Sequence, residues 1–275
     1  MKDLRGKLVM VTGAASGIGR ALATRFSKEG AVLALVDIDE KGLASLAGEI
    51  RSEGRFAHTY VTDLRDSEQV AHLKRRLVSE AGVPDVLVNS AGVAIVCCIE
   101  ETSLEDWHWV LDLNLWGYIN VIHLFLADMF QRGSGHVVNV ASAAGLFAVP
   151  YQAPYNTSKH AVMGLTDSIR QEGRRYGVGA TAVCPGMIDT PIVGSVRLLG
   201  FKESTTSTAG RIAASPDKLA IAIVNGVKKN KPLVIYPPAI RVIYGLKKLS
   251  QRFTDLCGAV VARVLYKMHH EEGAA

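Results

Sequence analysis

The 275-residue chain is 48% apolar and 21% charged, the balance of a soluble globular protein with a full core. Its net charge of +5 is unevenly placed: from Lys228 onward nine Lys/Arg stand against three acids, a net +6, which leaves the rest near −1. A neutral body with neither a basic aromatic platform nor a recognition motif speaks against nucleic-acid binding.

The length accommodates one large α/β domain or two small ones. Cys97, Cys98, Cys184 and Cys257 show no zinc or haem spacing and no disulfide framework. His58, His72, His108, His123, His136 and His160 likewise lack ligand spacing, so no metal site is expected. The start runs straight into a strand-like segment without a signal peptide, and no apolar run is expected to span a membrane. A reducing, cytoplasmic setting is the expectation.

Short apolar runs, most of them rich in β-branched residues, predict strands at Leu8–Thr12, Val32–Asp37, Phe56–Thr62, Val86–Asn89, His136–Ala141, Ala180–Cys184 and Leu233–Tyr236. Several are continuous rather than alternating, as in parallel strands buried on both faces. Amphipathic stretches between them predict helices over about Ile18–Glu29, Lys41–Glu53, Ser67–Ala81, Leu104–Arg132, Tyr155–Tyr176 and Pro216–Lys229. The last opens with Ser215 as cap and Pro216 at the first helical position. This alternation, with no linker or repeat, predicts one Rossmann-like doubly wound α/β domain with a seven-stranded parallel sheet over 1–237. The Ser/Thr-rich stretch 191–214, interrupted by Gly194, Gly200 and Gly210, reads as a substrate lid at the carboxyl edge of that sheet.

The first strand ends in Thr12-Gly13-Ala14-Ala15-Ser16-Gly17-Ile18-Gly19 and continues into a helix. Glycines there let the backbone approach a pyrophosphate, and free N–H groups at the helix N-terminus face the anion. The second strand ends at Asp37, eighteen residues beyond Gly19, where a carboxylate hydrogen-bonds the ribose hydroxyls of adenosine. The same carboxylate repels a 2′-phosphate, and Ser16 and Ile38 supply no cation to neutralise one, so the pattern favours NAD over NADP. Further on, Tyr155 and Lys159 lie one helical turn apart. An ammonium beside a phenol favours the phenolate, and a tyrosine so tuned can exchange a proton with an alcohol or carbonyl oxygen. Ser142, just past the fifth predicted strand, stands where its hydroxyl can donate to a substrate oxygen.

Taken together, the glycine turn, Asn89-Ser90-Ala91-Gly92, Ser142 and Y-x-x-x-K resemble the single-domain short-chain dehydrogenase/reductase family, over about residues 5–237. The resemblance implies that Asp63 and Leu64 hold the adenine and that Asn89, Ala91 and Gly92 support the sheet and line the cofactor cleft. Ser90 departs from the family's second asparagine. Asn114 matches the helical asparagine whose backbone binds a water linked to the catalytic lysine. Pro185, Gly186, Ile188 and Thr190 match the turn that holds the nicotinamide carboxamide, Ile188 through its backbone. The implied catalytic set is Asn114, Ser142, Tyr155 and Lys159. Gly13, Ser16, Gly17, Ile18, Gly19 and Asp37 join the residues just named in holding NAD, and Lys159 also bonds the nicotinamide ribose. By the same resemblance a homodimer or homotetramer pairs the helices Leu104–Arg132 and Tyr155–Tyr176.

The substrate side is expected to include Val93, Ala94, Leu146, Phe147, Val149, Met187 and lid residues Ile192, Val196, Leu198, Leu199 and Phe201. Their apolar character leans toward a lipophilic secondary alcohol or ketone. Residues 238–275 form a basic helical extension: Ala239, Val242, Ile243, Leu246, Leu249 and Phe253 recur at helical spacing among Arg241, Lys247, Lys248 and Arg252. Such a helix either lies on an anionic membrane surface or covers apolar surface of the protein itself. A second functional reading is a non-catalytic nucleotide-sensing or membrane-associated scaffold on the same fold. Its signature would be a broken catalytic set, and all four residues are present.

Overall fold

A computed structural model describes residues 1–190, 196–201 and 213–270. Seven parallel strands form one sheet: β1 (Leu8–Thr12), β2 (Val32–Asp37), β3 (Ala57–Val61), β4 (Val86–Asn89), β6 (Gly135–Val140), β7 (Val178–Pro185) and β9 (Leu233–Tyr236). Their spatial order is β3-β2-β1-β4-β6-β7-β9. The chain thus builds outward from β1 through β2 to β3, then returns past β1 to lay down β4. That reversal opens a crevice at the carboxyl ends of β1 and β4, the place where doubly wound sheets take ligands.

Alternate residues of each strand serve opposite faces. Val9, Val11, Leu33, Leu35, Val88 and Val138 pack on α1 (Gly17–Lys28), α2 (Glu40–Ser52) and α7 (Pro216–Lys228) through Leu22, Phe26, Leu46 and Ile223. Met10, Ala34, Val36, Leu87 and Val137 face α3 (Ser67–Glu80), α5 (Gly117–Arg132) and α6 (Ala153–Gly173) through Leu73, Val121, Phe125 and Val162. Both faces are apolar because both are covered. The helix starts follow from sequence: Asp39 and Asp66 accept N–H bonds from the first turns of α2 and α3, and Ser215 caps α7.

Three features depart from expectation. The stretch Leu104–Arg132 is long and apolar enough to cross a membrane by length and composition, which corrects the reading that no run reaches that length. Tyr118, Val121, Phe125 and Met129 on its inner side are nonetheless fully buried against the sheet. The same stretch is not one uniform helix: α4 (Leu104–Leu111) passes into a π-helical turn, Asp112–Trp116, before α5. Finally, β5 (Ile95–Val96) and β8 (Arg197–Leu198) form a small parallel pair outside the main sheet. It ties 196–201 of the expected lid to the loop after β4, and Ala214, at the lid's end, bridges to Ile188; residues 191–195 and 202–212, Ile192 among them, lie outside the described residues.

The extension forms α8 (Pro238–Leu249) and α9 (Gln251–His270). Ile240 and Tyr244 pack on the core cluster of the α5–α6 face, and Lys247 donates to the Leu146 carbonyl at 2.7 Å. One of the two readings of this segment, that it covers the protein's own surface, is therefore realised by its inner side.

Candidate active site

Past β1 the backbone turns so tightly that side chains have no room. A Cβ on Gly13 would lie 2.8 Å from the Ala91 backbone, and one on Gly19 would lie 2.0 Å from the Gly13 carbonyl oxygen. The first contact closes the glycine turn against the β4 loop, and the second seats α1 directly on the turn. Ser16, the N-cap of α1, makes no side-chain cap bond, and no acid stands in the first turn. The helix N-terminus thus keeps donors directed at the crevice. Thr12 holds the opposite wall, its Oγ1 accepting the N–H groups of Ser90 at 3.1 Å and Ala91 at 3.4 Å. Ser90, in place of the family's asparagine, enters this bond through its backbone, so the substitution leaves the turn intact.

The crevice is a groove of about 410 Å³ lined by Gly13, Ser16 to Gly19, Asp37, Ile38, Asp63, Leu64, Ala91, Gly92 and Thr190, among others. At the far end it runs on into a space of about 150 Å³ lined by Ser142, Tyr155, Lys159, Pro185, Gly186, Met187 and Ile188. Ile18, Ser90, Gly92, Val93 and Thr190 border both parts. The groove therefore brings together the cofactor-binding and catalytic residues singled out from sequence, except for two that stand outside its lining. Asn89 is fully buried and donates to Asn139 Oδ1 at 2.9 Å, while Asn139 donates to Thr166 at 3.0 Å; its side chain braces β4, β6 and α6 rather than lining the cleft. Asn114 is also fully buried.

At the adenosine end Asp37 is fixed by two backbone donors, Ala15 N–H at 3.0 Å and Asp39 N–H at 3.1 Å. Asp63 grips Arg65 with bonds of 2.6 and 2.9 Å. The guanidinium holds that carboxyl below the usual carboxylate range. Leu64 stands beneath, its carbonyl bonded by Asn120.

At the other end, Asn114 sits in the π-helical turn and spends its amide on two neighbours, Val93 and Ser158. Its Oδ1 accepts the Val93 N–H at 2.8 Å, and its Nδ2 donates to the Val93 carbonyl at 2.9 Å and to Ser158 at 3.3 Å. It acts as a brace that sets the loop after β4 beside Lys159. Lys159 is 4% exposed; its ammonium donates to the Val140 carbonyl at 3.1 Å and lies 5.5 Å from the ring centres of both Tyr118 and Tyr155. Tyr118 donates to the same carbonyl at 3.1 Å. Sequence reading missed Tyr118 and the Val140 carbonyl; a tyrosine on the inner face of a core helix, needing a partner for its hydroxyl, was the available signal.

Burial acts on both members of the pair: it raises the Tyr155 phenol above its ordinary value, a rise that a hydrogen bond from Ser142 opposes, and it drives the Lys159 ammonium down to about 8. Cys184, on β7, is another neighbour that sequence reading passed over: its buried thiol, 3.4 Å from the Met163 sulfur, is pushed up to about 12 and is unreactive.

The expected substrate side is assembled in part. Val93 and Met187 line the catalytic end. Leu146 is buried in the core, with Phe147 packed against it. Val196, Leu198 and Phe201 cluster with Val96, Cys98 and Tyr151, while Leu199 packs by Ile95, Cys97 and Val110.

Residues 7–198 match the short chain dehydrogenase family, and the chain belongs to it. The probable oxidoreductase EphD of Mycobacterium tuberculosis is 39% identical over 256 residues, which span 88% of this chain and 43% of that protein. The chain thus covers less than half the length of that relative. The putative oxidoreductase SadH of the same organism is 35% identical over 270 residues, 96% of this chain and 98% of that one. Among solved structures, a short chain dehydrogenase/reductase from Burkholderia phymatum in complex with NAD superposes with a TM-score of 0.85. It is 29% identical over 92% of this chain and 96% of its own. Members of this family bind a nicotinamide cofactor. The residues of this chain fit that group: a glycine cradle that any Cβ would obstruct, an uncapped helix N-terminus, and a half-buried carboxylate at the end of β2.

Proposed function

We propose that this protein is an NAD-dependent dehydrogenase that interconverts a secondary alcohol and its ketone, with Tyr155 as the acid/base. The observation that carries this reading is a pair of adjoining clefts that share Ile18, Ser90, Gly92, Val93 and Thr190, the one holding the glycine turn and Asp37 and the other Ser142, Tyr155 and Lys159. When bound, the nicotinamide accepts or gives the hydride and, in its oxidised form, adds positive charge that favours the Tyr155 phenolate. Ser142 holds the substrate oxygen by donating its hydroxyl. Tyr155 takes the proton of an alcohol during oxidation and returns one during reduction. Lys159 positions the nicotinamide ribose and, while protonated, adds to the charge that the phenolate needs. Asn114 keeps the loop bearing Gly92 and Val93 in register with them.

Asp37 supports the choice of NAD. A 2′-phosphate would meet its carboxylate, and Arg65, the cation lining the adenosine end, is already bound by Asp63. Apolar residues Val93, Met187 and Ile188 at the catalytic end support a lipophilic substrate. A homodimer or homotetramer belongs to the same reading. Steady-state turnover of lipophilic and polar secondary alcohols with NAD and with NADP tests it. The expected result is highest kcat/KM for an apolar alcohol with NAD; activity confined to sugars or polyols, or to NADP, would overturn it.

A further inference from the structure

Helix α8 has two apolar sides. Ile240, Tyr244 and Lys247, at i, i+4 and i+7, face the body: Ile240 abuts Gly186, and Lys247 bonds Leu146. Val242, Leu246 and Leu249 repeat the spacing on the opposite side, where Val242 is 65% and Leu249 85% exposed. A helix on a water-facing surface carries polar residues there. On α9, Arg252, Leu256, Val260 and Arg263 fall at i, i+4, i+8 and i+11, one exposed stripe with an arginine at each end; Leu256 is 67% exposed. Exposed apolar residues on both helices, bordered by Arg241, Lys248, Arg252 and Arg263, make a patch of the kind that marks an interaction surface.

We infer that this face docks on an anionic lipid bilayer. Charge selects that occupant. Among the described residues of α8 and α9 the exposed cations Arg241, Lys248, Arg252 and Arg263 stand against one acid, Asp255. A second copy packed through the same patch would bring cation against cation across a two-fold axis. An anionic surface attracts the cations while the apolar stripe enters the interface. Docking also has a consequence for the site. The inner side of α8 reaches the site, since Ile240 abuts Gly186 of the catalytic end, and α9 is tied to the body where Tyr151 donates to the Ala262 carbonyl at 3.4 Å with its ring packed on Phe201. The site is thereby held at the membrane surface, where a lipid-dissolved alcohol is concentrated; this last step rests on the dehydrogenase reading, the docking itself does not.

Co-sedimentation of the full chain with vesicles of phosphatidylcholine, alone or mixed with phosphatidylglycerol, tests the docking without any turnover. Salt-sensitive binding to the mixed vesicles is expected. Replacing Arg252→Gln and Arg263→Gln together should weaken it about tenfold or more while leaving the weak binding to neutral vesicles unchanged. The triple change Val242→Ser, Leu246→Ser, Leu249→Ser should abolish both, with cooperative thermal unfolding showing that the variant folds. Failure of the full chain to sediment with mixed vesicles, or unaltered binding by both variants, would overturn the inference. So would a loss of oligomer mass in the triple variant without vesicle binding, which would make the face a contact between copies. Binding without dehydrogenase turnover would overturn the proposed function alone.

Discussion

At the scale of single residues, burial acts on both Tyr155 and Lys159, raising the phenol and lowering the ammonium. The ammonium's value of about 8 lies below the roughly 10.4 expected of an unfolded lysine. Between those values the unfolded chain binds more protons than the folded one, so stability rises with pH across that window and the full penalty stands below pH 8. That penalty is about 2–3 kcal/mol for a side chain so nearly enclosed. Lys159→Met is therefore expected to raise Tm at neutral pH and to flatten the gain in stability between about pH 8 and 10, while turnover is lost. A lower Tm in that variant, by thermal denaturation across this range, would contradict the account. The motif residues themselves were legible because proton transfer calls for a phenol and an ammonium one helical turn apart. Their protonation was not, because it follows from how deeply α6 is buried and from Cys184 on β7, which only the fold brings beside them.

At the scale of elements, the seven strands and their flanking helices were legible from runs of apolar residues and their capping signals. The β5–β8 pair was not: two residues per strand show no period, and the partner lies about a hundred residues away in the chain. The π-helical turn was equally silent, since Leu111 to Trp116 read as ordinary helix; its effect is to aim Asn114 at the Val93 backbone. Helical spacing revealed one apolar stripe on α8, including Val242, Leu246 and Leu249, which the fold leaves exposed; the side that packs, through Ile240 and Tyr244, is set by Gly186 and the core of the α5–α6 face, far off in sequence. The outer side of α4, α5 and α6 carries a second question. Leu104 and Trp116 are large and exposed on the segment that the family resemblance assigns to subunit pairing. We predict a homodimer or tetramer in which Trp116 is covered; Trp116→Glu should then shift the mass by light scattering toward the monomer, and a monomeric parent protein would contradict this.

At the scale of the whole molecule, the sheet provides the crevice, the reversal of strand order places it between β1 and β4, and two loops and the extension close round its mouth. At the cofactor end, Asp37 and the loop after β4 are held by backbone bonds and the glycine turn by close packing. Outside the lining of the catalytic end, the β5–β8 pair, Tyr151 and the C-terminal helices are brought together from elements distant in sequence. Such a division suits one cofactor and a substrate chosen by loops. It also explains why the cofactor half of the groove could be read from the chain, whereas the shape of the substrate half could not. In the proposed function, proton transfer by Tyr155 is what joins the two halves. The most direct measurement is Tyr155→Phe, assayed for turnover with NAD and for NAD affinity by fluorescence titration. The account predicts a fall in turnover of at least about a hundredfold, in line with loss of a general acid/base, with NAD affinity essentially unchanged; turnover like that of the parent protein would contradict it.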